Sequence, residues 1–187
     1  MRLIPILAVL LMPGAALAAP SAYHLQPELS SVGYETDFGP DKISGTMPVS
    51  AADLTLDFAQ VAGSKISVTL NASGATASFP FAAQAMKGPK VLDTAEFPMI
   101  SFVSTSVKKE AQGATILGTI TIRGVPQPAT FHAEIYRQQG TVDGDLSHLT
   151  IRLTGAVKRS AFGAVGWQDL VGDEVRLNIL ARIERAN

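Results

Sequence analysis

The chain contains no cysteine among its 187 residues. Its absence excludes disulfide cross-links, thiolate metal ligands and thiol nucleophiles. The length fits one domain that can bury a substantial core, so packing and hydrogen bonding have to stabilise the fold.

An excess of either charge is also lacking. The chain has 15 Lys and Arg side chains against 16 Asp and Glu side chains, for a formal net charge of −1. These charges are interspersed, and no basic surface of the kind that attracts phosphate backbones is indicated. We therefore expect no nucleic-acid partner.

Long apolar runs are absent beyond the N-terminus. Arg2 precedes an apolar run over residues 3–12, and Ala16 and Ala18 provide the small side chains of a cleavage site. The alternative is a membrane anchor, but the run is about half of the roughly 20 residues that span a bilayer. We predict a signal peptide over residues 1–18, a mature domain over residues 19–187 without stable membrane insertion, and a periplasmic location.

Catalytic and metal-binding motifs are scarce. His24, His132 and His148 lie on separate predicted segments without metal-site spacing. Ser106 and Lys109 match a Ser-x-x-Lys motif, but they end a predicted strand, where residues three apart face opposite sides. The sequence therefore predicts no catalytic residue and no metal.

What the chain does have is period-two alternation of apolar and polar residues. Leu54, Leu56 and Phe58 alternate with polar residues, a second such segment covers residues 65–71, and residues 62–64 form a turn between them. This pattern predicts a β-hairpin. Further alternation predicts strands over residues 23–25, 31–36, 42–47, 116–123, 130–135, 149–153 and 175–183.

Two segments interrupt the strands. Residues 82–95 favour one or two short helical turns around Gly88 and Pro89, and residues 160–172 form a long glycine-containing loop. About eight sequential, antiparallel strands remain, and periodicity alone leaves a sandwich and a barrel as alternatives.

Four motifs carry a resemblance to a known family. They are D-T-A-E-F-P-M-I-S-F at residues 93–102, L-G-T-I-T-I-R-G-V at residues 117–125, K-R-S-A-F-G at residues 158–163 and V-G-D-E-V at residues 171–175. In order and spacing they resemble the motifs of the YceI-like family. The resemblance implies an eight-stranded antiparallel lipocalin-like barrel with a short helical insertion, enclosing a tunnel for a polyisoprenoid lipid or isoprenoid quinone. Such proteins are typically periplasmic, often homodimeric and not known as enzymes.

Aromatic side chains are the candidates for the tunnel lining, with ordinary core packing as the alternative for each. The candidates are Phe58, Phe79, Phe81, Phe97, Phe102, Phe131, Phe162 and Trp167. Arg159 is the candidate for a phosphate or quinone head group. The alternative for Arg159 is an ion pair with Asp169, Asp173 or Glu174.

Three functions remain open at this point. The first is an exported carrier or sequestering protein for a long apolar lipid, with quinone, polyprenyl phosphate, fatty acid and fatty amide cargoes undistinguished. The second is a periplasmic interaction module with a filled barrel that assists an electron-transfer or stress-response partner. The third is an enzyme on small apolar substrates.

Overall fold

The computed structural model describes residues 19–137, residue 140 and residues 142–186. The predicted signal peptide, residues 1–18, lies outside the described residues. Within them the strands are β1 (Ser21–Leu25), β2 (Ser31–Phe38), β3 (Asp41–Thr46), β4 (Val49–Leu56), β5 (Lys65–Asn71), β6 (Met99–Lys109), β7 (Ala114–Ile122), β8 (Val125–Arg137), β9 (His148–Lys158) and β10 (Glu174–Arg185). The helix α1 covers Pro80–Lys87, and 3-10 helices cover Pro27–Leu29, Val61–Gly63, Ala72–Gly74 and Arg159–Phe162.

The strands close into an eight-stranded antiparallel barrel. The 3-10 helix at Pro27–Leu29 interrupts one long strand, whose halves β1 and β2 pair with β4 and β3 respectively. From β4 the order runs through β5, β6, β7, β8 and β9 to β10, which pairs with both β1 and β2. The predicted barrel is confirmed, and the sandwich alternative is wrong because the sheet closes on itself.

Period-two alternation explains why these segments form strands around a common core. Along β7 every second residue from Ala114 to Ile122 is buried, and the residues between them, three threonines and Leu117, are only partly covered. Side chains of successive strand residues point to opposite faces, so one face of β7 fills the barrel and the other meets solvent. The predicted hairpin is also confirmed, since β4 and β5 pair antiparallel, from Val49 opposite Leu70 to Thr55 opposite Lys65.

Two segments differ from the alternation pattern. β4 ends at Leu56, and Phe58 lies in the connection that follows, where the Asp57 carboxylate accepts hydrogen bonds from the backbone N–H groups of Ala59 and Gln60. The helix begins at Pro80, earlier than predicted. It ends at Lys87, because Pro89 disfavours helical backbone at the residue before it, Gly88. Residues 88–97 then continue as turns.

The two ends of the barrel have different structures. At the end where β1 begins, Tyr23, Leu56, Leu149 and Ile183 form a buried cluster. The Tyr23 hydroxyl donates to the Leu146 carbonyl at 2.9 Å and ties this cluster to the loop before β9. The opposite end carries α1 and residues 159–172, which follow β9.

Candidate functional site

The barrel interior holds a cavity of about 510 Å³. Inward-facing side chains from all ten strands line it, together with residues of α1 and of the loop before β10. Several residues that line it at the α1 end, including Phe81 and Leu170, are also exposed on the protein surface. The cavity therefore opens to solvent at this end.

The lining is almost entirely apolar, and polar side chains within it, Thr36 and Tyr34 among them, are hydrogen-bonded inside the protein. Of the described residues that line the cavity, two are charged, Asp57 and Arg159. Thr36 donates to the Gly172 or the Glu174 carbonyl, and the Tyr34 hydroxyl donates to the Thr76 carbonyl. Burial raises the pKa of the Tyr34 hydroxyl to about 12. The cavity therefore suits an occupant that is held by apolar contact.

Two aromatic rings of the cavity lining pack against each other in the barrel interior. Phe102 on β6 and Phe131 on β8 pack edge to face, with ring centroids 5.1 Å apart. Gly118 on β7 lies under the Phe102 ring and Gly155 on β9 lies under the Phe131 ring, where a Cβ atom at either position would collide with the ring. The two glycines thus fix where the rings lie in the interior.

The open end is bordered by three chain segments. The Phe38 ring at the end of β2 packs on the Phe79 ring that precedes α1, with centroids 6.1 Å apart. Phe38 also forms an isolated β-bridge with Val171, and the Gly39 N–H donates to the Leu170 carbonyl at 2.9 Å. The loop before β10 is thereby joined to the β2–β3 turn.

Arg159 holds this loop in place. Its guanidinium donates to four backbone carbonyls: Nε to Gly172 at 2.9 Å, Nη1 to Ala164 at 2.6 Å and to Gly166 at 2.8 Å, and Nη2 to Val171 at 2.9 Å. The residue is only 8% exposed. Four of the five N–H donors of a guanidinium are thus used by the loop itself.

The electrostatics around Arg159 follow from its burial. Desolvation lowers the pKa of Arg159, and the nearby Asp173 carboxylate opposes that effect. Asp173 accepts hydrogen bonds from the backbone N–H and the hydroxyl of Ser160, both at 2.9 Å, which lowers the pKa of Asp173. Arg159 is therefore a loop-positioning residue. It is held by carbonyl oxygens rather than by the ion pair that the sequence offered as the alternative.

The structure brings most of the predicted aromatic residues together. Phe58, Phe79, Phe81, Phe102, Phe131, Phe162 and Trp167 line the cavity with Arg159. Phe97 lies outside this lining and packs near Gly124 in the β7–β8 turn. Contact of these residues with a ligand stays a prediction.

Some lining residues were not predicted from the sequence. Phe38, Tyr34 and Val32 line the cavity from β2, and Leu170 lines it from the loop before β10. The signal for the β2 residues was available, because Val32, Tyr34, Thr36 and Phe38 share one face of an alternating strand. No comparable signal marks Leu170, whose position depends on the loop conformation.

Neither a metal-binding cluster nor a membrane-spanning helix is found among the described residues. Across the described part of the chain, no three His, Asp or Glu side chains are grouped so that they could hold a metal ion. No helix within residues 19–137 and 142–186 is both long and apolar enough to cross a membrane.

Comparison with known sequences identifies a family. The family model described as the YceI-like domain matches residues 23–183. Protein YceI of Salmonella arizonae and that of Salmonella paratyphi B are each 28% identical over 126 residues, which cover 67% of this chain. The matched region is 66% of those relatives, so the chain spans slightly less than two thirds of their length.

Solved structures share the fold at low sequence identity. BcnA of Burkholderia cenocepacia superposes with a TM-score of 0.75 at 18% identity, over 85% of this chain and 99% of that one. A polyisoprenoid binding domain from Saccharophagus degradans, implicated in plant cell wall breakdown, gives 0.63 at 11% identity, covering 89% and 99%. The YceI protein of Campylobacter jejuni gives 0.63 at 17% identity, covering 100% and 99%.

Proposed function

The chain belongs to the YceI-like family, and we propose that it binds a long apolar lipid, a polyisoprenoid or an isoprenoid quinone, inside its barrel. After export to the periplasm it carries or sequesters that lipid and catalyses no reaction. The observation that carries this proposal is the apolar cavity of about 510 Å³, open at the α1 end.

The size and lining of the cavity support a lipid cargo. Its volume falls within the range of roughly 300–1,000 Å³ that is usual for small-molecule sites. Burial of one CH₂ group contributes about 0.8 kcal/mol, so a five-carbon isoprene unit gains about 4 kcal/mol before the costs of ordering the chain. The structural neighbour from Saccharophagus degradans is described as a polyisoprenoid binding domain, which agrees with this class of cargo.

A neutral head group fits the cavity better than a phosphate. Arg159 already gives four N–H donors to backbone carbonyls, and Asp57 is the other charged residue of the described lining. A buried phosphate without a free cationic partner would lose its hydration without compensation. We therefore propose a quinone or another lipid with an uncharged head group as the cargo ahead of a polyprenyl phosphate.

The alternative of an interaction module depends on a barrel filled by its own side chains. An eight-stranded barrel is at the size where either outcome occurs. Small inward residues such as Ala133 and Ala181 line the cavity, and they support the open barrel. The cavity counts against the filled barrel.

The test is mass spectrometry of the exported protein purified without detergent. Its native mass is compared before and after organic extraction, and the extract is identified. We expect a lipid with an isoprenoid chain in stoichiometric amount, and the native mass also tests the predicted homodimer. Absence of bound lipid, together with failure of added isoprenoid quinone to bind, would contradict the carrier function.

A further inference from the structure

We infer that the open end of the barrel is a docking surface for a phospholipid bilayer, through which the cavity exchanges its cargo. The surface, called the mouth patch here, consists of Phe79, Phe81, Trp167 and Leu170. The inference rests on the proposed function, because a membrane is the source of a cargo too apolar to cross water.

The mouth patch is both exposed and apolar. Phe81 is 71% exposed, Leu170 is 57% exposed and Trp167 is 45% exposed. Apolar surface of this kind, when it is contiguous, marks an interaction site on a soluble domain. Tryptophan and phenylalanine are also the side chains that bury an apolar ring at the interface between headgroups and acyl chains.

The mouth patch continues into the cavity. All four of its residues line the cavity as well as the surface. A lipid that leaves a bilayer at this surface would therefore pass from acyl chains to apolar side chains without crossing water. A second copy of the chain on the same surface would instead close both openings, and for that reason we assign the surface to a membrane.

The backbone presents the patch in a fixed position. Trp167 has a φ of 52°, a left-handed conformation that a bulky side chain adopts only where its surroundings impose it. Its carbonyl accepts from the N–H groups of Leu170 and Val171, and Arg159 holds the carbonyls on either side of this turn. Strain retained at an exposed aromatic residue is typical of functional sites.

Charges near the opening have both signs. Lys87 and Lys90 follow Phe81 along the chain, Asp41 is the first residue of β3, and Asp169 lies in the loop before β10. A mixed set gives little net attraction to an anionic surface. Docking should therefore depend on apolar burial and should change little between low and high salt.

Trp167 is the single tryptophan of the chain, so its fluorescence reports on the patch without a label. The probe is a set of vesicles of equal parts phosphatidylethanolamine and phosphatidylglycerol, free of isoprenoid, with phosphatidylcholine vesicles as a second set. We expect a blue shift of the emission and protection from an aqueous quencher with both sets. Phe81→Ser and Leu170→Ser should each weaken partition about tenfold, because each removes one buried apolar side chain.

The matched control is Val103→Ser on β6. Val103 is 52% exposed, and it does not line the cavity. We expect this variant to partition as the wild type does. An unchanged emission in the presence of vesicles, an equal loss in Val103→Ser, or a shift that appears without vesicles as a dimer forms would each overturn the inference.

Failure of this inference is distinguishable from failure of the carrier function. The vesicles contain no isoprenoid, so docking is measured whether or not the cavity holds cargo. Isoprenoid recovered from a protein that ignores vesicles would overturn the docking surface alone. Vesicle docking by a protein that never binds isoprenoid would overturn the carrier function alone.

Discussion

The Phe102 ring packs edge to face on the Phe131 ring, with an angle of 86° between their planes. The two residues come from β6 and β8, and the pair crosses β7 at the point where the inward position is Gly118. Edge-to-face geometry places the positive ring edge on the negative ring face, which stabilises the pair by about 0.5–1.5 kcal/mol beyond burial. The pair is possible because β7 has no side chain at this position.

Gly118→Ala should destabilise the barrel. The added Cβ atom would lie within contact distance of the Phe102 ring and of the Val103 carbonyl, so the ring and the backbone both have to move. Such overpacking costs about 1–3 kcal/mol. Urea unfolding followed by far-UV circular dichroism measures the loss in the free energy of unfolding.

A double-mutant cycle with Phe102→Leu supplies the control. The same Gly118→Ala change should cost less in the Phe102→Leu background, because part of the collision is removed. An equal cost in both backgrounds would mean that the Phe102 ring is not its cause.

The sequence predicted the barrel better than it predicted the site. Alternation and four ordered motifs were sufficient for most of the strands, since the burial of β7 repeats every two residues. Aromatic residues are also common in ordinary packing, and composition could not separate Phe102, which lines the cavity, from Phe97, which does not. That difference depends on the turns of residues 88–97.

The role of Arg159 could not be predicted for a different reason. Its four acceptors are backbone carbonyls from residues 164 to 172, and every residue type has such a carbonyl. Residue types near Arg159 indicated carboxylate partners, because only side-chain acceptors are visible in a sequence. The mouth patch could not be predicted for a similar reason, since α1 and the loop of Trp167 meet only in the folded barrel.

Arg159→Ala should destabilise the protein by about 2–5 kcal/mol. The substitution leaves four carbonyls without their donor, and each buried unsatisfied group carries its own desolvation cost. Arg159→Lys should restore only part of the loss, because an ammonium lacks the planar fork that spans these acceptors. Thermal unfolding measures the stability of the fold, and hydrogen exchange of the Gly166 amide reports on the loop.

Arg152→Ala is the control for Arg159→Ala, since Arg152 is exposed on β9. We expect that variant to unfold within about 0.5 kcal/mol of the wild type. Cargo loss in an Arg159→Lys protein of wild-type stability would instead assign Arg159 to the lipid head group.

Asp173 should make the fold sensitive to acid. Its hydrogen bonds from Ser160 lower the pKa of Asp173 below the ordinary 3.8, so the native state binds its proton less tightly than the unfolded state does. The stability that Asp173 contributes is present above pH 3.8 and is lost as the pH falls through the lower native pKa. NMR titration of the carboxyl should show this direction, and Ser160→Ala should move the pKa back toward the ordinary value. A pKa unaffected by Ser160→Ala would contradict the assignment.

Tyr34 should make the fold sensitive to alkali. Burial raises its pKa from 10.0 to about 12, so the native state keeps a proton that the unfolded state has lost. The stability from the neutral hydroxyl is complete below pH 10 and declines as the pH rises toward 12. Ultraviolet absorbance of the phenolates should show one group near pH 12 that is missing in Tyr34→Phe. That variant should also lose about 1 kcal/mol with the hydrogen bond to Thr76.

Filling the cavity should separate lipid binding from folding. Ala181 on β10 lines the open interior, and Phe replaces its methyl group with a ring where the cargo would lie. Ala156 on β9 is exposed on the outer face, so Ala156→Phe makes the same chemical change outside the cavity.

We expect Ala181→Phe to lose at least about tenfold in isoprenoid affinity, since an apolar chain gains about 0.8 kcal/mol per buried CH₂ and the ring excludes several of them. Its free energy of unfolding should change by less than about 3 kcal/mol. Ala156→Phe should bind lipid as the wild type does, and full lipid stoichiometry in Ala181→Phe would mean that the cargo binds elsewhere than in the barrel.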